Sequence, residues 1–222
     1  LFTYGLFELN KRIRYNEDTI IRLANRGKMN QMKSIVLAGD YGYIRQIETT
    51  IKSLCCYHED LLIYVFNQDI PQEWFINTRK KVKGTGNNLL DIKLLRDDLR
   101  MKWEESTYSH INYMAYARYF IPEYVKDDRA LYLDCDLVVT QNLDHLFDLD
   151  LEDYYIAAVR ATFGLGIGFN SGVMLLNNKR WRKENISQQL VELTDREIER
   201  VLEGDQSILN MLFEEQYLEL ED

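Results

Sequence analysis

The sequence predicts an α/β protein built on a mainly parallel central sheet. From Lys33 onward, short runs rich in Val, Ile and Leu alternate with segments of helical spacing, the pattern of strand–helix–strand units. Runs such as "SIVLAG" and "LLIYVF" are apolar at almost every position, as strands covered on both faces must be. The chain holds two prolines and no Ser/Gly-rich linker after residue 32, so one domain is expected over residues 32–222.

The elements follow in order. "SIVLAG" is the first strand, after which Ile44, Ile47, Ile51 and Leu54 recur at helical spacing. "LLIYVF" (61–66) is the second strand, and "PQEWFINTRKKV" is a helix with Pro71 in its first turn. "GTGNN" reads as a loop and "DIKLL" (91–95) as the third strand. "SHINYMAYARYFIPEYV" is a helix capped by Ser109 and ended or bent by Pro122. "RALYLDCD", "YYIAAV" (154–159) and "SGVMLLN" (171–177) are further strands, and "GDQSILNMLFEE" is a closing helix capped by Asp205. Residues 1–31 stand apart. Their "NEDTIIRLANRG" has the spacing of a short amphipathic helix stopped by Gly27, an extension, linker or tail of a preceding domain.

Composition narrows the function. Asp and Glu number 36 against 27 Lys and Arg, a net charge of −9, so no broad basic surface is expected and nucleic acid is excluded as a partner. An anionic substrate would need a local device such as a metal ion. No apolar run approaches the length of a membrane span. Cys55, Cys56 and Cys135 offer neither a disulfide framework nor a zinc spacing, which fits a reducing, cytoplasmic setting. The chain opens on Leu1, "MKSIVLAGD" at Met32 reads as a domain start, and the last segment is "QYLELED". A portion of something longer, truncated at its C-terminus, is expected.

The chemistry concentrates at strand ends, where open α/β sheets bind ligands. In "RALYLDCD" an apolar run ends in Asp134 and Asp136. Residues two apart on a strand face one side, so both carboxylates point together, and a divalent cation relieves their repulsion. Capping a turn or facing solvent is the competing account. In "LAGDYGY" (37–43) Asp40 can accept a base N–H and Tyr43 can stack on a base, although a plain strand–helix turn explains both. Asn170 and Ser171 follow a glycine-flexed loop, where an amide binds sugar hydroxyls or its own backbone. A helix cap accounts for Asp205 and leaves Gln206 unexplained. Arg118 serves a donor phosphate or a salt bridge to an acid such as Asp134 equally well. His58, His110 and His145 show no ligand spacing, and Trp74, Trp103 and Trp181 read as core or surface anchors.

Four segments in this order resemble the glycosyltransferase family 8 pattern over about residues 33–215: "IVLAGDYGY", "YARYFIPEYVKDDRALYLDCDLVV", "FNSGVMLLNNKRWR" and "GDQSILNMLF". Within that family the chain is similar to streptococcal members that extend glycans on serine-rich adhesins. The resemblance implies a GT-A fold with an Asp-x-Asp site for Mn²⁺ (or Mg²⁺). It implies a retaining transferase using UDP-glucose, UDP-galactose or a related UDP-hexose. Carried over by position, it puts Ala38, Asp40 and Tyr43 on uridine and Arg118 on the donor. Asp134 and Asp136 fall on the metal, Asn170 and Ser171 in the sugar pocket, and Gln206, beside Asp205, beneath the anomeric carbon. A glycan or serine-rich glycoprotein acceptor follows, with other glycosyltransferases as partners.

Three departures qualify the resemblance. Gly42 stands where an asparagine is common, and Arg160 with Ala161 where family members often carry an acid touching donor hydroxyls. The family's C-terminal His-x-x-Gly-x-x-Lys-Pro-Trp type segment, source of a third metal ligand and a diphosphate-binding lysine, is absent after Gln206. Weak UDP binding and slow turnover are therefore expected of these residues alone. The reading is a manganese-dependent retaining hexosyltransferase. The alternatives are an inactive UDP-sugar-binding or partner-docking domain, and a nucleotidyltransferase, which would want a glycine-rich basic loop that "LAGDYGY" is not. Gln206, a poor nucleophile, is expected to steady an oxocarbenium-like centre through its carbonyl dipole while the departing diphosphate takes the acceptor's proton.

Overall fold

The computed structural model describes residues 32–100, 113–163, 166–201 and 203–221. Seven strands form one sheet: β1 (Lys33–Ala38), β2 (Leu61–Asn67), β3 (Asn88–Lys93), β4 (Arg129–Leu133), β5 (Ile156–Phe163), β6 (Gly166–Asn177) and β7 (Tyr217–Leu220). Their order is β3-β2-β1-β4-β6-β5-β7. β1 lies parallel to β2 and β4, β2 to β3, and β5 to β7, while β6 runs against both β4 and β5. The sheet is mainly parallel, as the sequence predicts, with β6 reversed.

Helices cover both faces: α1 (Ile44–Tyr57), α2 (Gln72–Gly84), α3 (Ile121–Tyr124), α4 (Asp144–Phe147), α5 (Asn178–Glu184), α6 (Ile186–Glu197) and α7 (Asp205–Phe213). The period of two along each strand divides its side chains between two cores. Ile35, Leu37, Ile63 and Val65 pack with Ile47, Ile51 and Phe75 of α1 and α2. Val36, Tyr64, Phe66 and Tyr132 pack on the other face with Tyr116, Trp181, Leu190 and Leu209. Burial on both faces is why these strands read as unbroken apolar runs. Among the described residues no helix is long and apolar enough to cross a membrane.

Several boundaries differ from the sequence reading. β3 starts at Asn88, because Leu89 and Leu90 pair with Ile63 and Tyr64, while Leu95 is 38% exposed beyond the strand. Pro71 is the N-cap of α2, one residue before the first turn. The single helix expected around Pro122 is a 3-10 helix, Tyr113–Phe120, followed by α3, with Pro122 in the first turn of α3. A proline's missing N–H costs nothing there, so it opens a helix rather than ending one. Ser109 and the segment around Gly27 lie outside the described residues.

The strand order places the site. From β1 the chain works outward through β2 and β3, then returns to lay β4 on the opposite flank of β1. The loops leaving β1 and β4 therefore diverge and open a crevice at their carboxyl ends. α1 braces the β4 side of it. Thr50 Oγ lies 2.7 Å from both the Cys135 and Leu137 carbonyl oxygens, and Ser53 Oγ accepts the Val139 N–H at 2.9 Å. Thr50→Val keeps the shape and removes that donor. It should cost about 1–3 kcal/mol in urea unfolding, the penalty for buried carbonyls left unpaired. An unchanged midpoint would show that other contacts hold the turn.

Candidate active site

An open cleft of about 460 Å³ lies across the ends of β1 and β4. Of the residues placed at the donor and metal site from the sequence, all but Asn170 line it. Asn170 is exposed, and its Oδ1 accepts the Gly172 N–H at 2.8 Å, so the amide bonds its own backbone. On the β1 side, Ala38 ends the strand and Asp40 caps the 3-10 turn Tyr41–Tyr43, its Oδ1 accepting the Gly42 N–H at 2.8 Å. Tyr43, the N-cap of α1, is 42% exposed and offers a ring face.

On the β4 side, the strand ends at Leu133, so Asp134 and Asp136 sit in the turn beyond it and not on the strand as expected. Their shared direction has another cause. The Asp134 N–H donates to the Gly172 carbonyl at 2.7 Å, extending the ladder with β6, and Thr50 holds the Cys135 carbonyl. Cys135 is thereby turned into the core under α1, and both carboxylates reach the cleft.

Arg118 lies buried beneath them, carried by the 3-10 helix. Its Nε–H donates to the Ala115 carbonyl at 2.9 Å, and Nη1 donates to Ser171 O at 2.7 Å and Ser171 Oγ at 3.0 Å. Nη2 donates to Asp134 Oδ1 at 3.2 Å, and the guanidinium stacks 4.4 Å from the Tyr132 ring centroid. Asp205 Oδ2 sits 3.0 Å from Nε without taking its proton, an attraction of charge alone. Burial would lower the Arg118 pKa, but Asp205, Tyr132 and Asp134 together raise it. Asp205 responds the other way. Burial pushes its carboxyl up to about 6 against the pull of Arg118, because it faces one cation and a second acid, whereas Arg118 faces two acids. Of the two roles open to Arg118, the ion pair is the one formed here.

Asp205 does not cap its helix. Gly204 holds the cap position with φ 54 and ψ −124, and Asp205 is the first residue of α7, 6% exposed. Its carboxylate is a counter-ion for Arg118. Gln206 Oε1 accepts from Ser171 N–H at 2.9 Å and Ser171 Oγ at 3.2 Å, while Nε2 donates to Glu203 Oε2 at 2.9 Å. The carbonyl expected to face the sugar is committed to Ser171, whose backbone N–H can only donate. Sequence reasoning missed Tyr132, whose hydroxyl donates to Asp134 Oδ1 at 2.9 Å, and Glu203, which lines the cleft.

The donor set suits a hard divalent cation. Asp134 spends Oδ1 on Tyr132 and Arg118, and Oδ2 lies beside Gly172, where an added Cβ would come within 2.5 Å of it. Asp136 is exposed on the same cleft. Two carboxylates with open positions for water and phosphate oxygens are what Mn²⁺ or Mg²⁺ takes. A second grouping, His58, Asp60 and Asp144, lies at the opposite end of the sheet. Lys33 Nζ stands 2.9 Å from both Asp60 Oδ2 and Asp144 Oδ1, already supplying the positive charge. His58 Nε2 accepts the Leu143 N–H at 3.2 Å, so the neutral ring keeps its proton on Nδ1, the atom that would have to ligate. That grouping is a tether for the chain after β4.

The fold and cleft define a GT-A transferase fold, and comparison with known proteins narrows this to a family. Residues 34–222 match the profile of Glycosyl transferase family 8, and the chain belongs to that family. It is 54% identical over 193 residues to glycosyltransferase GlyE of Streptococcus pneumoniae, spanning 87% of this chain and 47% of GlyE. It is 42% identical over 225 residues to glycosyltransferase GlyA of the same organism, spanning 99% of this chain and 30% of GlyA. The crystal structure of GlyE matches with a TM-score of 0.74 at 52% identity, over 86% of this chain and 45% of that one. Galactosyltransferase LgtC, solved in complex with donor and acceptor sugar analogs, matches with a TM-score of 0.73 at 27% identity, over 84% and 72%. The chain thus spans about half the length of GlyE or less of such relatives.

The ion pair beneath the cleft gives a test of its own. Arg118→Ala leaves Asp205 buried without its cation and should cost about 3–5 kcal/mol in chemical denaturation. Adding Asp205→Asn should recover part of that loss, since the stranded charge is gone. Strictly additive costs in the double variant would mean the two residues do not act as a pair.

Proposed function

We propose that this chain supplies the donor site of a retaining hexosyltransferase, which moves a hexose from a UDP-hexose to a glycan or a serine-rich glycoprotein. One observation carries the reading. Asp40 and Tyr43 at the end of β1 and the two carboxylates after β4 line a single cleft at the switch point of the sheet. The likeness to LgtC, solved with donor and acceptor sugar analogs, supports a sugar donor of the hexose type. The free thiols of Cys55, Cys56 and Cys135 fit a cytoplasmic reaction, and other glycosyltransferases acting on the same glycan are the natural partners.

Each residue then has a task. Asp40 accepts a uracil N–H, its carboxylate already oriented by Gly42, and Tyr43 stacks on the base. Asp134 and Asp136 would hold Mn²⁺, which when bound neutralises charge on the leaving diphosphate. Arg118 and Tyr132 fix the Asp134 carboxylate by holding Oδ1, leaving Oδ2 as its ligand atom. Asp205 is spent on Arg118 and Gln206 is an amide, so neither is a covalent nucleophile. Attack from the face the diphosphate leaves is the route to retention that remains for them, and the α-anomeric proton of the product, read by NMR, checks it. A β-linked product would refute it.

The carboxylates are tested through binding. Asp134→Asn or Asp136→Asn should abolish the manganese-dependent part of UDP binding in calorimetry while the melting curve stays cooperative. Gly172→Ala probes the same atom from outside. Its Cβ would lie 2.5 Å from Asp134 Oδ2 and 2.9 Å from Asn170 Oδ1, so the carboxylate must shift. Manganese-dependent UDP affinity should fall about 10-fold or more, the scale expected for a ligand misplaced by an ångström. Wild-type affinity in all three variants would remove the metal from this cleft.

A further inference from the structure

Gln206 is bound at both ends of its amide, and neither partner was anticipated from the sequence. Ser171 N–H donates to one end at 2.9 Å, and a backbone N–H requires oxygen there. Glu203 Oε2 accepts from the other end at 2.9 Å, which places the amide nitrogen there. The two partners agree on a single amide orientation.

The backbone reinforces it. The Gln206 N–H donates to the Glu203 carbonyl at 3.2 Å, closing a turn whose first central residue is Gly204. Gly204, at φ 54 and ψ −124, has the geometry of the first central position of a type II′ turn, which glycine adopts without strain. The Glu203 N–H in turn donates to Ser207 Oγ at 3.3 Å. Glu203 and Gln206 are therefore joined twice, through backbone and through side chains, at the edge of the cleft both line.

Oε1 takes two hydrogen bonds from Ser171, and one of the two Nε2 protons goes to Glu203. Among the described residues the second Nε2 proton has no acceptor, and it is the polar group Gln206 has left for the cleft. We propose that Glu203 is a positioning residue, holding Gln206 so that it offers an N–H to an oxygen of the transferred hexose. This rests on the hexosyl-transfer reading. It reverses the part expected of the amide, since a donor meets a sugar hydroxyl oxygen where a carbonyl would meet a positive centre.

Glu203→Ala and Glu203→Gln in the complete protein test this, assayed with Mn²⁺ and UDP-glucose or UDP-galactose. Glu203→Ala should lower kcat about 10- to 100-fold, the cost of a misplaced active-site group. UDP affinity by calorimetry should stay within about twofold, because the diphosphate site is untouched. Glu203→Gln should restore most of kcat, since its carbonyl accepts the same hydrogen bond. The Gln206 side-chain amide signal, in protein labelled with ¹⁵N-glutamine and assigned by its loss in Gln206→Glu, should shift in Glu203→Ala and hold near its wild-type position in Glu203→Gln. Wild-type kcat in Glu203→Ala, no rescue by Glu203→Gln, an unmoved amide signal, or a sugar adduct on Glu203 would each overturn the proposal. If the wild-type protein consumes neither donor, the hexosyl-transfer reading fails, and the amide signal still decides whether Glu203 holds Gln206.

Discussion

The site depends on one buried cation. Arg118 reaches Asp134, Asp205, Ser171, Ala115 and the Tyr132 ring from a single point beneath the cleft, and these lie on four separate parts of the chain. A guanidinium suits this because its planar fork offers donors in fixed directions and keeps its charge when buried. Burying it is expensive, and the neighbouring carboxylates with the Ser171 hydrogen bonds offset that cost. Withdrawing any one partner leaves a charge or a donor stranded. The sequence left Arg118 open to a donor phosphate or a salt bridge equally, and its hydrogen bond to Asp134 makes it the residue that orients that carboxylate.

The sheet explains why the same few residues meet. β1 and β4 are neighbours in space yet separated in sequence by two strands and their helices, so the loops after them face each other across the switch point. β6, the reversed strand, passes Ser171 and Gly172 alongside the end of β4 and supplies the carbonyl that anchors Asp134. α7 begins where Ser171 needs a partner, with Gln206 answering it. A parallel strand at the β6 position would not bring its residues to the cleft in this order.

Much of this was legible beforehand. The apolar runs marked β1, β2 and β4 because burial on both faces leaves no room for polar alternation, and the acids ending "RALYLDCD" marked residues that line the cleft. Asp205 misled because a carboxylate at a helix start usually caps it, and only the positive φ of Gly204, invisible in sequence, moves the cap back one residue. The 3-10 geometry of residues 113–120 was hidden for a similar reason, since spacings of three and of three-and-a-half look alike over two turns. Glu203 carried a faint signal, three residues before Gln206, but pairing depended on a turn the pattern did not reveal. Tyr132 was open to inference, two residues before Asp134 on the face Arg118 occupies.

The central claim is that a divalent cation and a nucleoside diphosphate meet between Asp134 and Asp136. Manganese anomalous scattering from crystals of the protein soaked with Mn²⁺ and UDP tests it most directly. The account predicts one strong peak within ligand distance of both carboxylates, about 2 to 2.6 Å from their oxygens, with diphosphate density beside it. A peak at His58, Asp60 and Asp144 instead, or UDP bound in the cleft with no metal beside it, would contradict it.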